Sequence, residues 1–225
     1  MTRLIQRIGQ TLHDWVQRIL HRISQQMDLL RDLVGNIFNL HHEYEGLVFT
    51  LEEESMISES AALLEEFFPT RPGAMLASED YESRFEAVED LAERLKVLYG
   101  LEDHEVIITD DPVIIGGEDG MITRGIIVFS NKRIYINAAC LRSVDETVLD
   151  NVILTIIHEM RHAMQLQVAT GVRRYGVPYH RRRAWRENIA NYIQPEHDYE
   201  GYYKQPIEFD ARAFASHVWQ QAYQK

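Results

Sequence analysis

Residues 153–168, ILTIIHEMRHAMQLQV, constrain this chain more than any other stretch. Ile153, Ile156, Ile157, Ala163, Met164 and Val168 wind around a helix, so the segment is expected to be buried on most sides. Yet His158, Glu159, Arg161 and His162 lie in its middle. Unpaired charge in an apolar setting is costly, and buried polar groups are almost always bonded, so something must compensate these four. Spacing suggests what. Residues four apart sit one above the other on a helix, which places both imidazoles where a single metal ion can bridge them. Glu159 lies one step round the helix, within reach of a water on that ion. This is the mechanical content of H-E-x-x-H: two ligands and a general base on one rigid element. With 10 His and 22 Glu in 225 residues, chance supplies only about 0.04 such matches.

A catalytic zinc takes three protein ligands and leaves one position for water. The extended motif with a nearby third histidine is absent, because position 165 is Gln and position 168 is Val. The remaining candidates are His180, His197, Glu208, Asp210 and His217. Glu208 is favoured. It opens an apolar helix behind Pro206, and Ala211 and Ala215 follow on nearly the same face, where small residues let two helices approach. Asp210 points elsewhere on that helix and is expected to orient a histidine. Arg161 is expected to pair with a neighbouring acid. Tyr203, with Tyr202 and His197 as alternatives, is the expected donor to a developing oxyanion, because it closely precedes Glu208.

Elsewhere the pattern alternates between helix and strand. Residues 2–44 read as one long amphipathic helix, with Ile5, Ile8, Leu12, Trp15 and Ile19 on one stripe. It is expected to pack on its own protein, or else to mediate self-association or partner binding. A second helix spans 50–68, its EEE run read as a solvated face. PTRPGA, at 69–74, marks the expected boundary between a helical N-terminal region, 1–74, and a second domain, 75–225. Ser78 is the expected cap of a helix ending at Gly100. Strands follow at EVIIT, PVII, GIIVFS and RIYIN, the last two as a hairpin around NK. Ser143 and Glu146 read as a capping box for the helix that carries the motif. The Arg-rich stretch 172–205 reads as irregular, a surface or cleft-covering loop paired with the acidic part of the chain. The fold class is therefore α+β.

Composition narrows the partners. The net charge of −12 is concentrated in residues 43–105, which hold 18 acidic residues against four basic. DNA is disfavoured as a partner, since phosphate contact needs a basic footprint. Cys140 is the sole cysteine, which excludes an internal disulfide and any cysteine-based zinc site. The N-terminal residues lack a secretory signal and no segment has membrane-spanning length, so a cytoplasmic location and no membrane partner are expected, with export by a signal-independent route left open.

HEMRH at 158–162, followed by PIEFDARAFA at 206–215 behind a helix and a short sheet, resembles the gluzincin zinc metallopeptidases, specifically their compact members, the minigluzincins. The resemblance covers about residues 78–219. It implies a zincin-like catalytic domain with a backing helix, a small mixed sheet, the motif helix and a C-terminal helix carrying a glutamate. It further implies one catalytic Zn2+ held by His158, His162 and Glu208, Glu159 as general base, and an extended peptide or protein substrate lying along an edge strand, either RIYIN or GIIVF. The chain departs from the family at 212, where Arg stands in place of an acid four residues after Glu208. The alternative from another class is a zinc-binding regulatory or interaction protein that does not cut peptides. A structural zinc would need a fourth protein ligand and no Glu159.

Overall fold

The computed structural model describes residues 47–111, 114, 124–195 and 197–224. The helix expected over 2–44 lies outside the described residues, as does the strand expected at PVII apart from Ile114. What is described is α+β, mostly helical with one three-stranded mixed sheet. In chain order the elements are α1 (Leu51–Phe67), α2 (Pro72–Ala77), α3 (Tyr81–Leu98), β1 (Glu105–Thr109), β2 (Gly125–Val128), β3 (Arg133–Asn137), α4 (Ala138–Leu141), α5 (Glu146–Thr170), α6 (Tyr179–Ala190), α7 (Tyr199–Tyr203) and α8 (Pro206–Tyr223).

The motif helix α5 is the axis of the core. Ile153, Ile156, Ile157, Met160, Ala163 and Met164 are fully buried, and α2, α6, α8 and β2 all pack against it. A helix with apolar neighbours on every side has to be apolar nearly all round, which is how the sequence reads. Its ends are set locally. Asp145 accepts from Thr147 N at the start, and Gly171 takes the left-handed conformation at the finish, with φ of 80°. The expected cap at Ser143 is two residues too early: its hydroxyl accepts from Asp145 N instead. Similarly Asp80, not Ser78, caps α3, because only its carboxylate reaches the N–H of Ser83.

The sheet runs β1-β3-β2, with β1 parallel and β2 antiparallel to β3. RIYIN is therefore the central strand and GIIV an edge among the described strands. Gly125 at the start of β2 allows close approach to α5. A Cβ there would stand 2.6 Å from the Thr155 methyl and 3.2 Å from Glu159 Cγ. Gly73 plays the same part between α2 and α5, where a Cβ would fall 2.0 Å from the Glu146 carbonyl oxygen.

Two readings of the sequence change here. Residues Leu47–Lys225 form one compact unit, so the boundary at 74/75 falls inside it and α1 belongs with the motif helix. The reason is packing: α1 lies against α8 and α3, burying Ile57, Ala61 and Leu64. The stretch 172–205 is also more regular than its composition implied. It contains α6 and α7, and α6 docks on α5 through the fully buried Trp185.

Candidate metal centre

His158 and His162 project from one face of α5, and Glu208 meets them from the first turn of α8. The two Nε2 atoms are 3.0 Å apart. Glu208 Oε2 lies 3.3 Å from His158 Nε2, and Oε1 lies 3.3 Å from His162 Nε2. Atoms bound at about 2.0–2.1 Å to one tetrahedral ion are separated by about 3.3–3.4 Å, and each imidazole stands about that far from a different oxygen of the Glu208 carboxylate, all donors lying within 4.8 Å of one another. Glu208 Oε2 is buried and makes no hydrogen bond, the kind of orphan that a cation satisfies. His158 keeps 18% of its side-chain surface open, whereas Glu208 keeps 2%, so access is from the His158 side. Among the described residues no fourth His, Cys, Asp or Glu joins the group. Two imidazoles and a carboxylate, convergent and partly open, fit a divalent metal ion.

Ring orientation is fixed from behind. His162 Nδ1 bonds Gln165 Oε1 at 2.8 Å, one turn further along α5. The Gln165 amide nitrogen donates to the Ile207 carbonyl at 2.9 Å and to Asp210 Oδ1 at 2.8 Å. With both nitrogen sites directed at acceptors, the amide oxygen must face the imidazole. His162 then carries its proton on Nδ1 and leaves Nε2 for a metal. Asp210 thus orients a histidine, as its position suggested, but through Gln165. Tyr192 donates its hydroxyl to Glu208 Oε1 at 2.7 Å, holding the third ligand.

The charges are mutually dependent. Burial opposes ionisation of His162, but Glu208 outweighs it and raises the imidazole to about 9. Burial likewise works against the Glu208 carboxylate, yet the two imidazoles hold it well below the usual carboxylate range. Glu159 differs. Burial pushes its pKa up, only partly offset by the imidazoles and by a bond from the Ile127 main chain. A carboxylate held beside the cluster with raised proton affinity suits proton transfer.

Of the other sequence candidates, Tyr202 packs on Tyr192 near Glu208, and burial with that carboxylate pushes its hydroxyl well up. Asp210 and Glu53 both bind the Arg161 guanidinium, which is fully buried and lies over the Phe214 ring at 4.7 Å. The expected pairing of Arg161 with an acid is therefore found twice over. Glu53 corrects the reading of EEE as a solvated face: Glu52 and Glu54 are exposed, but Glu53 is 0% exposed. His180 and His197 are exposed, and His217 Nδ1 bonds the Ala213 carbonyl while its ring packs on Phe49. The Tyr203 ring lies 3.8 Å beneath the Arg212 guanidinium. The tyrosine hydroxyl found on Glu208 belongs to Tyr192, which the sequence reading missed. No local pattern marks Tyr192, whose place depends on the turn after α6. Glu53 did leave a signal, since Thr50 and Glu53 form a capping box that fixes the side chain at the third helical position.

Comparison with protein-family models, with curated proteins and with solved structures finds no match in any of the three.

Proposed function

We propose that the protein is a zinc-dependent peptidase of gluzincin type, with His158, His162 and Glu208 as metal ligands and Glu159 as general base and acid. The observation that carries this is the convergence of three metal-donor side chains with the orphaned Glu208 Oε2 among them and the buried Glu159, its proton affinity raised by burial, alongside. Two imidazole nitrogens and a carboxylate, converging within 4.8 Å, suit zinc among the common divalent ions. When bound, zinc supplies a water acidic near neutral pH and polarises the scissile carbonyl.

The chain's own residues do the rest. Glu159 takes a proton from the attacking water and returns it to the leaving amine nitrogen. Its raised pKa lets one carboxyl group serve in both directions. Gln165 keeps the His162 proton on Nδ1, and Tyr192 holds the Glu208 carboxylate in place. β2, an edge among the described strands, passes directly over Glu159, and an extended peptide adding to that edge would cross the ligand cluster. Three ligands instead of four among the described residues weigh against a purely structural zinc.

The test pairs metal content with cleavage of an unfolded protein substrate. Both the wild type and Glu159→Gln are expected to hold about one zinc per chain, since Glu159 is not a ligand. The variant should lose at least about 100-fold in hydrolysis, the scale of a missing general base. Equal cleavage by the two forms would remove Glu159 from the reaction and with it this assignment.

A further inference from the structure

We propose that Glu53, on a helix remote in sequence from the motif, is a positioning residue for the metal centre, acting on His162 through Arg161, Asp210 and Gln165. The proposal rests on the metal reading given above. Its basis is an unbroken run of buried hydrogen bonds between α1, α5 and α8.

Each link has a defined geometry. The Glu53 side chain is held at its root, because Oε2 accepts from Thr50 N at 2.8 Å. Its Oε1 accepts from Arg161 Nη2 and from Arg181 Nη2. Arg161 grips Asp210 with two parallel bonds, Nε to Oδ1 at 2.7 Å and Nη2 to Oδ2 at 3.2 Å. Asp210 Oδ1 accepts from Gln165 Nε2, and Gln165 Oε1 faces His162 Nδ1. A planar guanidinium packed over Phe214 and Trp185 has little freedom to turn, so a shift at either carboxylate is passed on.

The amide of Gln165 is where this matters. Reversed, it would set its oxygen against Asp210 and offer an N–H to His162 Nδ1. The imidazole would then carry its proton on Nε2, the atom that has to bind metal. Asp210 prevents that reversal only while its own carboxylate stays in register. Arg181 Nη2 is already 3.4 Å from Asp210 Oδ2. Without Glu53 to occupy it, Arg181 would compete with Arg161 for Asp210 and draw the carboxylate off Gln165. Two cations and two carboxylates balance; two cations on one carboxylate do not.

The experiment is a double-mutant cycle in the full chain, with Glu53→Gln, Gln165→Met and both together. Zinc affinity is measured by chelator competition, and the bond from His162 Nδ1–H to Gln165 by imidazole 1H and 15N chemical shifts in the zinc-loaded protein. Gln165→Met should weaken zinc about 10-fold, as expected for a partner of a ligating histidine. Glu53→Gln should weaken it about threefold to 10-fold and shift the His162 Nδ1–H resonance as its bond to Gln165 loosens. The double variant should bind no more weakly than Gln165→Met, because both changes act through one bond. Wild-type affinity in folded Glu53→Gln, an unmoved His162 shift, or losses that multiply in the double variant would each overturn the proposal. Glu53→Asp keeps the charge but withdraws it by one methylene, and serves if Glu53→Gln does not fold. Wild-type affinity in Glu53→Asp would then be the contrary result. If the wild type takes up no zinc in the same titration, the metal reading falls and this proposal with it; an altered cycle on a zinc-binding wild type sinks only the proposal.

Discussion

Two polar clusters lie within a few residues of each other in the core, and they are built on opposite lines. Glu53, Arg161, Arg181 and Asp210 bring two cations to two carboxylates, and every carboxylate oxygen has a partner. Only Arg181 Nε goes unbonded within it. His158, His162 and Glu208 bring three metal donors to one point, and Glu208 Oε2 has nothing to accept. Desolvation penalises both clusters, but only the first is closed by the protein's own groups. The lesson is a division of labour. The first cluster satisfies its charges across α1, α5, α6 and α8, while the second leaves one buried carboxylate oxygen, Glu208 Oε2, without a hydrogen bond.

The sharpest way to break this contrast is to remove a carboxylate from each cluster and compare stability. Asp210→Ala leaves Arg161 short of its main partner in an apolar core and should cost about 3–5 kcal/mol in urea unfolding of the metal-free protein. Glu208→Ala removes a carboxylate whose partners are the Tyr192 hydroxyl and two imidazoles that can shed their charge, and should cost clearly less, despite equal burial. Equal losses would erase the distinction. Zinc is expected to narrow the difference. Present at a hundredfold its dissociation constant, it should stabilise the wild type by about 2.7 kcal/mol in thermal denaturation, and Glu208→Ala should abolish that gain.

A smaller effect comes from acid. Burial raises the Glu53 pKa, but Arg161 and Arg181 outweigh it, so the folded value lies below the ordinary one. Its ionised form therefore contributes fully above about pH 4.3, the unfolded value, and the contribution is lost as pH falls through the folded pKa. The stability difference between wild type and Glu53→Gln should be widest at neutral pH and should narrow below about pH 4. A gap that stays constant to pH 3 would mean that Glu53 is not ionised in the fold. Smallest of all, Tyr192→Phe deletes one hydrogen bond to a charged acceptor and should cost about 1.5–3 kcal/mol of zinc binding when the remaining ligands do not compensate, and less when they do.

Much of the centre was legible in the chain. His158, Glu159 and His162 were marked by spacing within one helix, and Glu208 by the small residues that follow it. These are short-range signals, and helical geometry carries them intact. Gln165 is also one turn from His162, yet a lone glutamine on an apolar helix says nothing until its two acceptors are known. Glu53 was misread for the same reason: three consecutive glutamates look solvated, and only the fold shows that the middle one faces two buried arginines. Tyr192 was invisible because the chain between α6 and α8 had to be traced before any residue in it acquired neighbours. The cap positions went astray by two residues, Ser78 for Asp80 and Ser143 for Asp145, because each serine stands beside a stronger acceptor.

By itself, then, the sequence determined the helical periodicity, the β2–β3 hairpin, and a one-face display of two histidines with a glutamate next to them, since all of these follow from backbone geometry and local side-chain chemistry. Which acids hold Arg161, which amide faces the histidine, and how α1 joins the core were decided only by tertiary structure. Those depend on desolvated charges finding partners across 40 to 110 residues of chain, a choice that burial imposes and no local pattern encodes.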